Sequence, residues 1–275
     1  MKKFSFVFAA LAAVGLARAD MSPIAGVNTV GFSAINAPGA ANTIITVPFE
    51  ACLGAGAAGM LADLVSTNGL TAAAAVENAG EADQLVVLTT NGTDMVYYYY
   101  WLKAGDGWTA ITTEMVMPDG DPATVTPPAA SAFALSRGLG FWIKRAPSAS
   151  STLYVKGEVS TAKQSTAINP GLNLVGYGTV SAFTLNTSGI DWTGAYGGTG
   201  NTRTSDKILV VAADGSFTEY FYFVKPDGWP AGYDALDHKW ITQSYALPTA
   251  TIPAGTGFWY LRRGSGSFAF KPDGE

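Results

Sequence analysis

The chain carries one short segment twice, as Gly138-Leu139-Gly140-Phe141-Trp142 and as Gly255-Thr256-Gly257-Phe258-Trp259. Each copy is an apolar, aromatic run behind a Gly-x-Gly, a pattern typical of a β-strand that follows a backbone bend. An arginine, Arg145 or Arg262, follows three residues after each tryptophan. The recurrence predicts the same local structure in both copies, with Trp142 and Trp259 as equivalent core residues.

Upstream of these segments the chain again aligns with itself. Asp83-Gln84-Leu85-Val86-Val87 corresponds to Asp206-Lys207-Ile208-Leu209-Val210. Each run leads to a turn dipeptide, Asn91-Gly92 or Asp214-Gly215, and then to an aromatic run. An apolar run, an Asn-Gly or Asp-Gly turn and a second apolar run together predict a β-hairpin.

The aromatic runs align next, Tyr97–Tyr100 with Tyr220–Phe223, followed by Gly107-Trp108 with Gly228-Trp229. They lack polar alternation, so both faces of each aromatic strand should be covered. We expect the two copies to pack against each other, with these aromatic strands as the seam.

The alignment divides the chain into a β-rich repeat 1 over 20–158, a linker over 159–165 and a β-rich repeat 2 over 166–275. Ser151–Lys156 and Ser267–Lys271 alternate polar and apolar residues, as half-exposed closing strands do. The Ala-rich stretch Leu53–Ala79 predicts a short helix centred on Met60–Val65, and Met117–Ala130 predicts a loop. The expected fold is mainly β: two tandem pseudo-symmetric antiparallel β-sandwich or barrel-like repeats, with a short helix in repeat 1.

The N-terminus has the three parts of a secretory signal peptide. Lys2 and Lys3 precede an apolar run over Phe4–Leu16, and Ala17-Arg18-Ala19 forms an Ala-x-Ala site before Asp20. We expect residues 1–19 to be a signal peptide and the protein to be secreted or exported to the periplasm or cell surface. The apolar run is too short to span a bilayer comfortably, and no later run is longer, so no transmembrane segment is expected.

Charge narrows the choice of partners. Cleavage after Ala19 removes three positive charges and takes the formal net charge from −5 to −8. An acidic chain does not suit nucleic acid or docking on anionic lipid. Only 13% of the residues are charged, and Gly is abundant. This composition favours a β-rich exported protein that associates with itself or with other cell-envelope components.

Four features resemble a group of exported two-repeat β-rich proteins of the Verrucomicrobia, Lentisphaerae and Planctomycetes type. They are Val30-Gly31-Phe32, Pro38-Gly39, Val47-Pro48-Phe49 and the Gly-x-Gly-Phe-Trp motif continuing to Lys144. The resemblance covers most of the chain after residue 19 and carries over no catalytic residues. Repeat 2 departs from it in lacking a Val-Pro-Phe equivalent.

The sequence contains few residues of the types that serve catalysis or bind metal ions. Cys52 and His238 are the only residues of their types, which argues against an intramolecular disulfide, a multi-histidine metal site and a nucleophilic triad. Cys52 is interpreted as a buried small apolar residue, with an intermolecular bridge or a nucleophile as the alternatives. Five carboxylates could serve glycoside hydrolysis, namely Asp119, Asp121, Asp227, Asp234 and Asp237. We interpret them as solvated loop residues and turn caps. We therefore predict no catalytic residue, no metal site, no cofactor and no enzymatic activity.

Aromatic residues that could contact a ligand are abundant, with 7 Trp and 12 Tyr. Those shared by both repeats belong at strand centres, where core residues lie. The loop aromatics that the repeats do not share are the candidate ligand-binding residues; they are Trp192, Tyr196, Tyr233 and Trp240.

Two functions remain. The favoured one is an exported, non-catalytic surface or extracellular-matrix structural or interaction protein. The alternative is a carbohydrate-binding module that binds polysaccharide through its exposed loop aromatics.

Overall fold

A computed structural model describes residues 30–37, 39–40, 42–46, 59–60, 69–90, 95–116, 122–135, 138–147, 152–158, 165–176, 182–187, 189–199, 202–211, 216–249, 251–253 and 255–272. Several predictions fall outside these residues. They concern the signal peptide 1–19, Val47-Pro48-Phe49, Cys52, both hairpin dipeptides, Asp119, Asp121 and the linker up to 164.

The described residues form a mainly β fold with several antiparallel sheets, as predicted. Residues 30–158, called the first half, contain β1 (Val30–Asn36), β2 (Asn42–Thr46), β3 (Gly59–Met60), β4 (Gln84–Thr90), β5 (Met95–Lys103), β6 (Gly107–Ile111), β7 (Thr113–Val116), β8 (Pro122–Val125), β9 (Ala134–Leu135), β10 (Gly140–Lys144) and β11 (Thr152–Glu158). A 3₁₀ helix spans Val76–Glu81.

Residues 165–272, called the second half, contain eight further strands within the described part. They are β12 (Thr166–Ile168), β13 (Gly171–Gly176), β14 (Gly198–Thr199), β15 (Lys207–Val211), β16 (Phe217–Val224), β17 (Lys239–Ile241), β18 (Gly257–Arg262) and β19 (Phe268–Phe270). A second 3₁₀ helix spans Ala231–Leu236.

Each half is organised around one main sheet. In the first half the order is β2-β10-β4-β5-β6, and every neighbouring pair is antiparallel. In the second half the order is β13-β18-β15-β16, with β17 antiparallel and the short β14 parallel to β16. None of the sheets described closes into a barrel. The antiparallel pairing of β4 with β5 confirms the predicted hairpin pairing.

The closing strands pair with the first strand of the same half. β11 runs antiparallel to β1 over seven residue pairs, and β19 runs antiparallel to β12 over three. Both closing strands lie where their alternating pattern predicts them. Isolated antiparallel bridges also join the halves, Ile45 with Thr256 and Leu139 with Val175.

Alternate side chains of each strand point to opposite faces of the sheet, so one set packs in the core and the other set lies on the outer face. Leu85 and Tyr100 are buried in the core of the first half, and Ile208 and Tyr220 are buried in the core of the second. On the opposite face of β16, Phe221 and Phe223 pack against the cluster formed by Trp229, Tyr233, Leu236 and Tyr245. The expectation of cover on both faces is confirmed for β16, where the cover comes from the same half, whereas Tyr97, Tyr98 and Tyr99 of β5 are half-buried.

The aligned match of the aromatic strands is wrong by three positions. Leu85, two residues after Asp83, pairs with Tyr100, and Ile208, two residues after Asp206, pairs with Tyr220. The ladder position of Tyr100 is therefore taken by Tyr220, whereas the alignment assigns it to Phe223 on the other face. The chain between the paired positions is three residues shorter in the second half, and an odd shift exchanges the faces of a strand.

The Gly-Trp match fails for the same reason. Trp108 of β6 pairs with Leu102, and Trp240 of β17 pairs with Tyr222, each two residues beyond the positions just described. Both tryptophans are buried in the main cores. Trp229 instead lies in the longer connection before β17 and covers the outer face of β16.

A buried ion pair holds each sheet. The Asp83 carboxylate accepts hydrogen bonds from Arg145 Nε at 2.8 Å, from the Ala146 amide at 2.7 Å and from the Thr71 amide at 2.7 Å. The side chains of Asp83 and Arg145 are both fully buried. Removing one partner of such a pair typically costs about 3–5 kcal/mol, because the other charge stays buried.

Asp206 makes a corresponding set of bonds in the second half. It accepts from Arg262 Nη1 at 2.6 Å, from the Tyr260 hydroxyl at 2.7 Å and from the amides of Arg263 and Tyr196 at 2.6 and 2.8 Å. The sequence comparison identified the acids and the arginines but did not pair them.

The two halves meet at a seam between β2 and β10 on one side and β13 and β18 on the other. Its apolar cluster contains Ile44, Leu88, Leu174, Trp259, Tyr97, Trp142, Leu209 and Val211. Trp142 and Trp259 both belong to this cluster and pair with Ile44 and Leu174 at matching ladder positions, so the core they share is the seam, where their rings contact each other. The prediction that the aromatic strands form the seam is wrong: of the two aromatic runs, Tyr97 belongs to this cluster, whereas Phe221 and Phe223 are covered from within the second half.

Backbone bonds cross the seam in reciprocal fashion. The Thr46 amide donates to the Gly255 carbonyl at 2.9 Å, and the Gly176 amide donates to the Gly138 carbonyl at 2.7 Å. Thr46 and Gly176 are the respective ladder partners of Gly140 and Gly257.

Each Gly-x-Gly serves the seam with both of its glycines. The first glycines, Gly138 and Gly255, have φ of +83° and +72°, a region that favours glycine. At the second, Gly140 and Gly257, an added Cβ would lie 2.9 Å from Leu174 Cγ and 2.6 Å from Ile44 Cγ2 of the other half. The motif is therefore both a bend and a site of close approach.

Two predicted elements of the first half need correction. Of the predicted helix, Met60 lies in β3 and pairs with Ala134, whereas 53–58 and 61–68 are outside the described residues. A 3₁₀ helix spans Val76–Glu81. The predicted loop Met117–Ala130 contains β8, which pairs with β7. In each case a partner strand supplies the hydrogen bonds, β9 for β3 and β7 for β8, and the composition of the segment by itself does not indicate that pairing.

Candidate functional site

A pocket of about 470 Å³ opens in the second half between the loop 186–195 and the start of β17. This volume falls within the range of about 300–1,000 Å³ that is usual for small-molecule sites. Polar groups and aromatic side chains together form the wall; among them are Asn186, Asp191, Trp192, Thr193, Tyr222 and His238.

Two side chains tie the loop to the sheet. Asn186 Nδ2 donates to the Trp240 carbonyl at 2.9 Å, and the Trp240 amide donates to Asn186 Oδ1 at 3.0 Å. The side chain of Asn186 thus pairs with the edge of β17 as a strand backbone would. Trp192 Nε1 donates to the Leu185 carbonyl at 2.9 Å, which anchors the middle of the loop in the core.

Aromatic packing limits what Trp192 offers to a ligand. Its ring stacks on Phe270 at 4.7 Å between centroids and meets Trp240 edge-on at 5.1 Å. Only 9% of Trp192 is exposed. Trp192 therefore forms part of the pocket wall and does not present an open ring face.

Asp191 is held by a turn of its own chain. The Thr193 amide donates to Asp191 Oδ1 at 2.7 Å. Hydrogen bonds from the hydroxyl and the amide of Thr193, together with the positive charge of Lys271, hold the pKa of the Asp191 carboxyl below its usual value. The side chain is therefore an ionised acceptor at neutral pH.

Tyr222 lies between the loop and β17. Burial raises the pKa of its hydroxyl, and the negative charges of Asp237 and Asp191 raise it further. The hydroxyl therefore stays protonated and can donate a hydrogen bond, with both carboxylates within electrostatic range.

His238 enters the site through an unusual backbone conformation. Its φ is +54°, in the left-handed region, and its ring centroid lies 6.4 Å from that of Tyr222. The side chain is 67% exposed, with Nε2 at 3.8 Å from Asp237 Oδ2. Asp237 Oδ1 in turn accepts from the Lys225 amide at 2.7 Å, which fixes the carboxylate beside the pocket.

The arrangement suits recognition of hydroxyl groups. A carboxylate and an amide oxygen accept hydrogen bonds, while hydroxyl, imidazole and ammonium groups donate them. Among the described residues, no group of three or more His, Cys, Asp or Glu side chains is placed to hold a metal ion.

The four predicted binding residues do not form one exposed platform. Trp192 and Trp240 are buried neighbours, with Trp240 fully enclosed. Tyr233 packs against Trp229 on the opposite face of β16, and Tyr196 is 48% exposed. Of the four, Trp192 lines the pocket. The interpretation of Trp240 as a loop aromatic was wrong because it occupies the ladder position that Trp108 holds in the first half.

The remaining carboxylates of this region are dispersed. Asp234 forms an ion pair with Lys225, and Asp227 lies exposed in the turn after β16. Sequence reasoning missed Asp191 and Tyr222. The Asp-x-Thr spacing at 191–193 indicates a local turn, but nothing local connects it with Tyr222 or His238.

Within the described residues, no helix has both the length and the apolar character needed to cross a membrane. The chain matches no protein-family model, and no curated protein or solved structure is significantly similar to it.

Proposed function

We propose that the protein is an exported, non-catalytic structural or interaction protein of the cell surface or extracellular matrix. The observation that carries this proposal is the burial of the two Asp–Arg pairs that recur in both halves. Asp83–Arg145 and Asp206–Arg262 are enclosed in the two sheets, with at most 9% of any of these side chains exposed. The recurring ionisable groups are used to brace the fold and are withheld from solvent and substrate.

The same proposal treats 20–158 and 166–275 as two diverged copies of one β unit, joined in one body. Support comes from the similar strand orders, the two Asp–Arg pairs and the reciprocal backbone bonds of Thr46 and Gly176. A body braced in this way suits a passive role outside the cytoplasm, where the predicted signal peptide would deliver it.

Export is tested by expressing the precursor with a C-terminal tag in a bacterial host and fractionating the cells. The tagged protein should leave the cytoplasm and begin at Asp20 by mass spectrometry. Ala19→Leu, which removes the small residue required before the cut, should accumulate uncut. Wild-type protein retained with an intact Met1 would overturn the export proposal.

The non-catalytic role is tested on a panel of glycan and ester substrates. No turnover is expected. Turnover that disappears in His238→Ala or Asp237→Asn would overturn this part of the proposal, since His238 lines the pocket and the Asp237 carboxylate lies beside it.

Carbohydrate binding is the second candidate. The pocket favours it, because hydrogen-bonding side chains there surround aromatic residues in a volume suited to a small ligand. Retardation of the mature protein in gels containing soluble polysaccharide tests this candidate, and unaltered migration in every polysaccharide would argue against it.

A further inference from the structure

We infer that the pocket walled by Asp191, Trp192, Tyr222 and His238 binds one neutral sugar residue at the end of a glycan. The inference rests on the proposed carbohydrate binding and assigns it a site and a ligand class. The site differs from the exposed aromatic platform expected from the sequence.

The aromatic packing argues for a chain end and against a long stretch of polysaccharide. Binding along a chain uses flat, open aromatic faces on which successive rings stack. Here the faces of Trp192 are taken up by its stacking neighbours, and Tyr222 is 7% exposed between His238 and Trp240. A ligand must therefore enter the pocket and be held mainly by hydrogen bonds.

The charge distribution argues for a neutral ligand. Asp191 lies near Lys271, and Asp237 lies beside His238 and the Lys225 amide. Lys239 adds a positive charge to the wall. No single sign dominates, so the site neither attracts nor repels strongly by charge. Ionised acceptors next to protonated donors match the hydroxyl groups of a sugar, each of which both donates and accepts.

The loop is built to keep this geometry without a ligand. Hydrogen bonds join the Asn186 side chain to the Trp240 backbone and the Trp192 indole to the Leu185 carbonyl. A third hydrogen bond, from the Thr193 amide, orients the Asp191 carboxylate. A pre-organised pocket loses less ordering entropy on binding than a mobile loop does.

The test is saturation-transfer NMR and calorimetric titration of the full mature protein with methyl glycosides of glucose, galactose, mannose and N-acetylglucosamine. At least one should bind, and Asp191→Asn and Tyr222→Phe should each weaken it about tenfold or more, as expected for losing a charge-assisted or buried hydrogen bond. Glu219→Gln, which changes a carboxylate that pairs with Lys207 away from the pocket, should bind as the wild type does. Thermal melts of each variant show that it is folded.

The outcomes separate the inference from the function on which it rests. If a polysaccharide retards the protein but the two pocket variants are retarded equally, the pocket is the wrong site and carbohydrate binding stands. If no polysaccharide and no glycoside binds, both are wrong. Binding of glucuronic acid in place of the neutral glycosides would overturn the neutral ligand class.

Discussion

The indole rings of Trp142 and Trp259 meet edge to face across the seam, with centroids 4.9 Å apart and planes inclined at 63°. Each ring follows a Gly-x-Gly-Phe in its own half, and each is part of the apolar cluster that joins the halves. The recurring motif thus supplies both sides of one contact.

Trp142 and Trp259 should therefore be energetically coupled. In a double-mutant cycle with Trp142→Phe and Trp259→Phe, we expect a coupling free energy of about 0.5–1.5 kcal/mol, the range for aromatic pairs in contact. Urea unfolding of the four proteins measures it. Simple additivity of the two single changes would contradict direct contact between the rings.

Gly176→Ala should destabilise the protein through the seam. An added Cβ would lie 1.7 Å from Thr46 Oγ1, so one backbone must shift. Overpacking of this kind costs about 1–3 kcal/mol. Gly232→Ala is the matched control, because nothing lies within 4 Å of its added Cβ. Equal melting temperatures for the two variants would show that the halves do not approach closely at this point.

The buried aspartates should matter far more than exposed ones. Asp83→Asn and Asp206→Asn should each lower the free energy of unfolding by about 3–5 kcal/mol, because Arg145 or Arg262 stays buried without its counter-charge. Asp234→Asn breaks the exposed pair with Lys225 and should cost at most about 1 kcal/mol. Chemical denaturation measures all three, and similar losses in all three would refute the structural role of the buried pairs.

Stability should fall at alkaline pH because of two buried phenols. Burial raises the pKa of Tyr260 and of Tyr100 above the ordinary value of 10.0, and the neighbouring Asp206 carboxylate adds to the effect at Tyr260. The phenols ionise near pH 10 in the unfolded chain but stay protonated in the native state. The native state then binds more protons, so the stabilisation is complete below pH 10 and is lost as the pH rises.

Urea midpoints measured between about pH 8 and about pH 11.5 should show this decline. The slope should be smaller in Tyr100→Phe and in Tyr260→Phe, each of which removes one of the phenols. A slope that both variants leave unchanged would assign the decline to other groups.

Separating the halves should expose the seam. Cutting the chain within 159–164 leaves Ile44 and Trp142 on one product and Leu174 and Trp259 on the other, all at the apolar seam cluster. The products should aggregate or reassociate when mixed, as measured by light scattering after size-exclusion chromatography. Two soluble, monomeric halves that are as stable as the whole protein would contradict a stabilising seam.

Local patterns in the sequence determined which segments form strands. The apolar runs that begin at Leu85 and Ile208, the Gly-x-Gly-Phe-Trp segments and the alternating closing stretches all appear as strands of antiparallel sheets. Turn residues and a period of two act over a few neighbouring positions, so they are legible without knowledge of the fold.

Tertiary structure alone decided the register, the seam and the pocket. Tyr220 and Trp240, rather than Phe223 and Trp229, take the ladder positions of Tyr100 and Trp108, because the connecting segments differ in length. Hydrogen-bond register and close backbone approach depend on partners far away in the chain, and no local window of sequence contains those partners. Asp191 is likewise far from Tyr222 and His238 in the sequence, and only the folded sheet brings these three residues to one pocket.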